Sequence, residues 1–305
     1  MTPIVVFVHV HYLETWPDLS RRIENTVQLP FRLVVTTTRR AHEIVPPTSG
    51  HMVDFTVLET ANRGRDVLPF LLALEQAGVF DVGLKMHGKR SVHRLDGEAW
   101  RDALVGSLLT SADAVSGVVE RLSQDYRLGL VAPQASLCSI GPHVGGNSAA
   151  MASVAERTGV DLTEMLAQTP FFCAGTMFWF RRVALNRVSG AGLEDLFANE
   201  EGQTDGTVAH ALERLFAAFV EAENFLAIPM DVATKTDANT DRETMRAATL
   251  QCVDIDETYV RLPGPMAAFV MRHLRFAVPA YLALPTPIRR AIKAIAGGAV
   301  GLARR

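Results

Sequence analysis

The stretch Phe171-Phe-Cys-Ala-Gly-Thr-Met-Phe-Trp-Phe-Arg-Arg182, followed after a gap by Glu201-Gly-Gln-Thr-Asp-Gly-Thr-Val-Ala-His-Ala-Leu-Glu-Arg-Leu-Phe216, decides how this chain is read. Its first half is apolar up to a pair of arginines and reads as a buried strand. From Val208 onward, Ala211, Leu212, Leu215, Phe216, Phe219 and Val220 recur at three- and four-residue steps and define one helical stripe. That stripe is predicted core, and the opposite face carries His210, Glu213 and Arg214. Thr204 and Asp205 fall where N-caps and first-turn acids belong, so one reading of Asp205 is a cap. The other is catalytic. Glu200, Glu201 and Asp205 crowd one loop after a strand ending in Arg181 and Arg182, and a carboxylate at a cleft mouth can take a proton from an attacking hydroxyl.

Outward from that centre, 305 residues of ordinary composition suffice for one large α/β domain or two small ones. The formal charge of −3 hides an asymmetry: after Glu257 there are eight Arg or Lys and no acid, which leaves 22 basic against 33 acidic residues up to and including it. The tail is a separate electrostatic object. Cys138, Cys173 and Cys252 are far apart and form no Cys-x-x-Cys pair, so free thiols in a reducing compartment are expected and a zinc site is not.

The chain opens on Ile4-Val-Val-Phe-Val-His-Val-His11 without a basic leader, which reads as a first strand rather than a signal peptide. A helix from about Pro17 to Val27, a strand over Phe31–Thr37 and another over Phe55–Glu59 follow. That order suggests a sheet with parallel pairs and helical cover. His9 and His11 share a face of the first strand by two-residue periodicity and are expected to line a polar pocket at its end. Asn62-Arg-Gly-Arg-Asp-Val-Leu-Pro-Phe70 leads into a helical run over Leu71–Ala77; Gly64 permits a tight turn, and Arg63, Arg65 and Asp66 either dock an anion or staple the loop by an Arg–Asp pair. The strand Val82–Met86 then delivers Lys85, His87, Lys89, Arg90 and His93 at a sheet edge of the kind where open α/β sheets bind ligands. Helices are predicted from Trp100 and over Ala114–Leu122, a strand over Leu128–Ala132, and helices over Met151–Thr158 and Leu162–Leu166. Between them Gly141-Pro-His-Val-Gly-Gly-Asn147 reads as an irregular, flexible lid.

Four motifs, Asn62-Arg-Gly-Arg-Asp66 with Pro69-Phe70, Lys85-Met-His-Gly-Lys-Arg-Ser91 before Trp100-Arg101, Gly175-Thr-Met-Phe-Trp-Phe-Arg181 and Gly202-Gln-Thr-Asp-Gly-Thr-Val-Ala-His-Ala-Leu-Glu-Arg214, together resemble the rhamnan synthesis protein F family over roughly residues 1 to 230. The resemblance implies a glycosyltransferase building rhamnose-containing surface polysaccharide. It also implies an α/β, GT-A-like (Rossmann-like) fold: a mixed, mostly parallel sheet flanked by helices, here with a C-terminal helical extension. In the wider inverting plan an early Asn/Gly/Arg segment approaches the nucleotide sugar, a middle Asp-x-Asp binds a metal and a later acid at a helix start supplies the base. Asn62–Asp66 matches the first and Glu201 to Asp205 the last, while Lys85-Met-His-Gly-Lys-Arg stands where Asp-x-Asp would be.

A departing nucleoside diphosphate requires fixed positive charge. Lys85, His87, Lys89 and Arg90 are therefore candidates for diphosphate contact, and arginine's fork suits phosphate oxygens. His9, His11 and Asn62, Arg63, Gly64, Arg65 and Asp66 complete the expected donor site. Gly175, Thr176, Trp179 and His210 are the expected acceptor pocket; Asp205 is the favoured base and Glu201 the second choice. No metal is assigned, and magnesium or manganese is the less favoured alternative. Two other readings compete: a silent subunit of the same fold that binds glycan or scaffolds a synthesis complex, and a hydrolase using a metal on His9, His11 and His87, disfavoured for want of an acidic ligand at suitable local spacing.

Residues 1–260 are read as the catalytic domain. Asp231 to Asp241 has no apolar period and reads as a loop beside the site or a surface connection. Residues 266 to 284 are long enough to span a bilayer, but Arg272, His273 and Arg275 at mid-length argue against it. With Ile288–Leu302 and its flanking cations, residues 261–305 read as a cationic amphipathic tail for an anionic membrane surface, or as helices packed on the protein. The expected partners are thus a nucleotide-sugar donor, a polysaccharide or lipid-linked glycan acceptor and the inner face of the cytoplasmic membrane; nucleic acid is not one of them.

Overall fold

Strand β1 (Ile4–Val10) is buried at all seven positions, as its apolar run, interrupted only by His9, requires of a strand covered on both faces. It is the hub of the computed structural model, which describes residues 2–88, 97–203 and 205–254. After β1 come α1 (Trp16–Thr26), β2 (Phe31–Thr37), β3 (Met52–Glu59), α2 (Val67–Gln76), β4 (Val82–His87), α3 (Gly97–Leu108), α4 (Ala112–Gln124), β5 (Leu128–Ala132) and β6 (Leu137–Ser139). Then follow α5 (Ser148–Thr158), α6 (Leu162–Gln168), β7 (Phe171–Cys173), β8 (Phe178–Arg181), α7 (Asn186–Ser189), α8 (Val208–Ala222), β9 (Leu226–Pro229), α9 (Met230–Ala233) and α10 (Arg242–Gln251).

Seven strands form one sheet in the order β3-β2-β1-β4-β8-β5-β9. All neighbours are parallel except β8, which runs against both β4 and β5. This is the expected mixed, mostly parallel Rossmann-like α/β sheet. The chain builds outward from β1 through β2 to β3 and then returns to the other side of β1 to lay down β4. The β1/β4 boundary is therefore a topological switch point, where connections leave in opposite directions and a crevice opens at the strands' carboxyl ends. The residues fall into two compact units, Met1–Lys89 with Arg101–Ile255, and Arg90–Trp100 with Asp256–Arg305. Of the second unit only residues 97–100 are described, so the C-terminal extension and tail lie outside the described residues. Among the described residues no single helix is long and apolar enough to cross a membrane.

One face of the sheet is aromatic. Phe7 meets Phe70 of α2 edge-on at 5.4 Å, Phe180 of β8 meets Phe70 at 5.6 Å and Phe178 meets Phe216 of α8 at 5.4 Å, the tilted and edge-to-face geometries that ring quadrupoles favour. Gly83 makes the room: a Cβ there would come within 2.5 Å of Phe180 Cζ and 3.0 Å of Phe80. Gly83→Ala is expected to overpack this cluster and lower stability by about 1–3 kcal/mol, read as an earlier denaturant midpoint at unchanged slope.

The stretch Phe171–Arg182 is two strands and not the single one expected. A turn at Ala174–Met177 divides it, with Gly175 at φ +93° and Thr176 at φ +53°. β7 pairs with β6 in a separate two-stranded sheet, while β8 joins the large one. Both faces of α8 are buried, the polar one included: His210 is 5% exposed and Arg214 0%. Its N-cap is Thr207, whose side chain accepts the His210 amide, which displaces Asp205 from the cap position; Thr204 lies outside the described residues. α2 begins at Val67, four residues before the expected start, because Pro69 in a first turn forfeits no helical hydrogen bond. The glycine-rich segment expected as an irregular lid forms 3-10 turns at Gly141–His143 and Gly145–Asn147. β6 and β9 are too short to carry periodicity, and α10 is marked mainly by its cap, Asp241 accepting from Thr244; none of the three was foreseen.

Candidate functional site

The carboxyl ends of β1 and β4 bring the cluster together. His9 lies opposite His87 on one side and Thr36 of β2 on the other. Two-residue alternation places His9, Lys85 and His87 on the same face as Phe7. α2 is preceded by Asp66, which is 5% exposed and faces Lys85. Lys85 Nζ donates to Asp66 Oδ2 at 2.6 Å and to the Thr176 carbonyl at 2.8 Å, and lies 5.3 Å from the centre of the Phe70 ring. The Thr176 hydroxyl donates to the same Asp66 oxygen at 2.6 Å. A fully buried ammonium is tolerable only when so matched. The phosphate contact expected of Lys85 is therefore not what this geometry offers: at 1% exposure, its charge is held by Asp66.

Thr176 is a β-branched residue in the left-handed region, an uncommon and costly conformation that persists only where its surroundings impose it. Those surroundings are polar clamps on the turn. Thr176 is held by Asp66 and Lys85; the Gly175 carbonyl lies 2.6 Å from His87 Nε2, and the Gly175 amide donates to Glu213 Oε1 at 2.8 Å. Because the carbonyl can only accept, His87 carries its proton on Nε2.

Burial strips the hydration that an imidazolium needs and holds His9 neutral, its pKa pushed down to about 3. Asp66 opposes that shift, and His87 and Lys85 reinforce it. The Nδ1 atom of His9 hydrogen-bonds the Thr36 hydroxyl at 2.9 Å. His11 lies beyond the strand's end, half-buried, with Nδ1 2.9 Å from Thr38 Oγ1 and its pKa lowered by burial and then by Arg39.

From Gly175 the contacts continue along α8. Glu213 Oε2 accepts from Arg214 Nη1 at 2.6 Å. Arg214, fully buried, also donates to the carbonyls of His143 and His210 and lies over the Phe172 ring. Its Nη2 is 3.8 Å from Asp205 Oδ1. The other Asp205 oxygen lies against Gly145, where a Cβ would come within 3.0 Å. The Gly206 amide donates to Asn147 Oδ1 at 2.8 Å. The expected lid and the acidic loop are thus tied together, and Asp205, about a quarter exposed, remains accessible at their junction.

The Asn62–Asp66 loop docks on a different partner from the expected internal staple. Gly64 has φ +68°, and a Cβ there would strike Leu68 Cβ at 2.5 Å and Phe197 at 2.6 Å, so only glycine fits. Arg63 pairs with Glu194 at 3.0 Å and bridges to Asn199, while Arg65 pairs with Glu200 at 3.4 Å and donates to the Gln203 carbonyl. Asn62 is exposed. Glu201 is exposed too, with its amide on Gln203 Oε1.

The structure therefore gathers His9, Asp66, Lys85, His87, Gly175 and Thr176 into one cluster and links it through Glu213 and Arg214 to Asp205. Trp179 is not among them. On the opposite face of β8, it donates to the Leu108 carbonyl of α3 at 3.2 Å and is core. His210 is bound to its own helix cap, Nδ1 lying 2.8 Å from Thr207 Oγ1. Arg181 and Arg182 are remote from the acidic loop: β8 is antiparallel, so Arg181 pairs with Val82 at the amino end of β4. Lys89 and Arg90 lie outside the described residues. Glu213, Arg214, Asn147 and Thr36 were not foreseen as site residues. The signal for the first two was an adjacent acid–base pair on a helix that is otherwise apolar but for His210 and Glu221. Among the described residues no group of three His, Cys, Asp or Glu could hold a metal ion, the histidines of the hydrolase reading included.

Comparison with known proteins places this geometry in context. A family model described as rhamnan synthesis protein F matches residues 1–225. The uncharacterized protein WxcX of Xanthomonas campestris pv. campestris, in each of two strains, is 35% identical over 213 residues, which is 68% of this chain and 30% of the relative. The matched region thus spans under a third of the length of these relatives.

Proposed function

The chain belongs to the rhamnan synthesis protein F family, and from that premise we propose that it is an inverting glycosyltransferase of surface-polysaccharide synthesis, moving a deoxyhexose from a nucleotide sugar, dTDP-L-rhamnose favoured, to a glycan acceptor. The observation that carries the reading is the clamped polar cluster at the β1/β4 switch point, with an accessible carboxylate, Asp205, joined to it through Glu213 and Arg214. In the proposed single displacement Asp205 takes the proton of the acceptor hydroxyl, with Glu201 the second choice. The hydroxyl oxygen attacks the anomeric carbon, the bond to the diphosphate oxygen breaks on the opposite face, and the configuration inverts. A dTDP-β-L-rhamnose would give an α-L-rhamnoside. With Lys85 engaged by Asp66, diphosphate contact falls to Lys89 and Arg90. Residues 261–305 are proposed to hold the protein on the inner face of the cytoplasmic membrane, beside a lipid-linked acceptor.

The test is ligand binding followed by transfer. A ligand that binds only the folded state raises the melting temperature with its concentration. A selective shift with dTDP over UDP, GDP and CMP, in EDTA as in magnesium, is the expected result, followed by rhamnose transfer at undiminished rate in EDTA. Transfer abolished by EDTA and restored by magnesium or manganese would end the metal-independent form of the proposal. A second reading, the catalytically silent subunit, is favoured by the pairing of Arg63, Arg65 and Lys85 with Glu194, Glu200 and Asp66; it predicts glycan or nucleotide binding without transfer.

A further inference from the structure

We propose that His9 is a specificity-determining residue that hydrogen-bonds a neutral hydroxyl of a sugar ring seated at the β1/β4 edge, and that the diphosphate of the donor binds elsewhere. The identity of that ring as the transferred sugar rests on the glycosyltransferase reading.

The imidazole of His9 has two nitrogens to satisfy. His9 is 7% exposed, and Nδ1 is engaged by Thr36 on β2. Nε2, the other ring nitrogen, has no hydrogen-bond partner among the described residues. A polar atom at the floor of a largely buried crevice costs binding energy when a ligand leaves it unmatched and contributes when a ligand completes it.

The charge around it selects the ligand. Asp66 neutralises Lys85, and Arg63 and Arg65 of the adjoining motif are paired with Glu194 and Glu200. His9 itself is held neutral by burial. A diphosphate oxygen carries charge and only accepts hydrogen bonds, so it needs a cation, and Lys85, Arg63 and Arg65 are each already paired. A hydroxyl both donates and accepts, so it satisfies Nε2 in either tautomer of a neutral imidazole. The floor thus matches a neutral, hydroxylated ring.

Binding of dTDP-L-rhamnose, dTDP and methyl L-rhamnoside to the full chain, by calorimetry and thermal shift, tests this with His9→Leu and His9→Gln. Loss of one such hydrogen bond corresponds to about a five- to tenfold loss of affinity. His9→Leu is expected to lose that factor for dTDP-L-rhamnose and nothing for dTDP, and His9→Gln, which keeps a polar head, to lose less. Equal losses for dTDP and its sugar conjugate, or no loss for either, would overturn the proposal. Should the wild-type protein bind methyl L-rhamnoside in a His9-dependent way but no nucleotide, the transferase reading falls and this one stands; binding of none of the three ends both. If His9→Leu does not fold, judged by circular dichroism, Thr36→Val, which removes the tether of the ring, is read by the same ratio of dTDP-L-rhamnose to dTDP affinity.

Discussion

Replacing Lys85 with methionine is expected to destabilise the protein by about 3–5 kcal/mol, the cost of leaving a buried carboxylate without its counter-charge. Asp66 is 5% exposed, and Lys85 Nζ and the Thr176 hydroxyl both approach its Oδ2 at 2.6 Å. Methionine fills the space of the lysine stem, so the loss reports charge and hydrogen bonding rather than a cavity. The damage should spread to the turn, because Lys85 also holds the Thr176 carbonyl in its left-handed conformation. Adding Asp66→Asn to Lys85→Met removes the stranded charge while retaining an acceptor for Thr176, and should recover more than half of the loss. Denaturant unfolding of the two single variants and the double gives the coupling directly. Additive losses would mean that the pair is not coupled and that the turn is held by His87 and Glu213 instead.

The second large effect is on turnover. Asp205→Asn should keep the fold and lose about 10²–10⁴-fold in transfer rate, the usual contribution of a positioned base. The fold should survive because Thr207, not Asp205, caps α8, and because an amide occupies the same space against Gly145. Arg214 lies 3.8 Å away and stays anchored by Glu213 and two backbone carbonyls when Asp205 is changed. Glu201→Gln should leave at least half of the rate, since Glu201 is exposed and, among the described residues, no ion pair holds it in place. Single-turnover assays of both variants decide the assignment: an Asp205→Asn enzyme with half the wild-type rate would remove Asp205 from the mechanism, and a larger loss in Glu201→Gln would transfer the role.

Most of the sheet was legible from the sequence because its strands are long and buried on both faces. β1, β2, β4 and β5 are predominantly apolar runs bounded by turns, and the expected bounds of β2 and β5 match the structure. What failed was local. One apolar run, Phe171–Arg182, hid two strands because Thr176, an ordinary residue by type, adopts a glycine-like backbone that only its long-range partners enforce. The same limit applied to the site. Lys85, Asp66 and Thr176 were each singled out, but that they hold one another across sequence separations of 19 and 110 residues is not written in any local pattern. Trp179 was misplaced for a simpler reason: alternation along β8 puts it on the face opposite Phe178 and Phe180, and without the strand's true start at Phe178 that parity could not be assigned.

The reversed strand β8 also sets what the gene can tolerate. Its amino end begins just after the clamped turn, and its other end is pinned by Arg181, whose guanidinium donates to the carbonyls of Leu122, Asp125 and Leu128. Only four residues separate those anchors, Met177 to Phe180. A single inserted or deleted codon there would slip the register and exchange the ring-bearing face with the face of Trp179, so length should be fixed in this segment whatever happens to side chains. The turn at Glu194–Asp195, by contrast, is held by the largely exposed ion pairs Arg63–Glu194 and Arg157–Asp195, each a weak constraint. Length variation among relatives should therefore collect in that turn and spare β8.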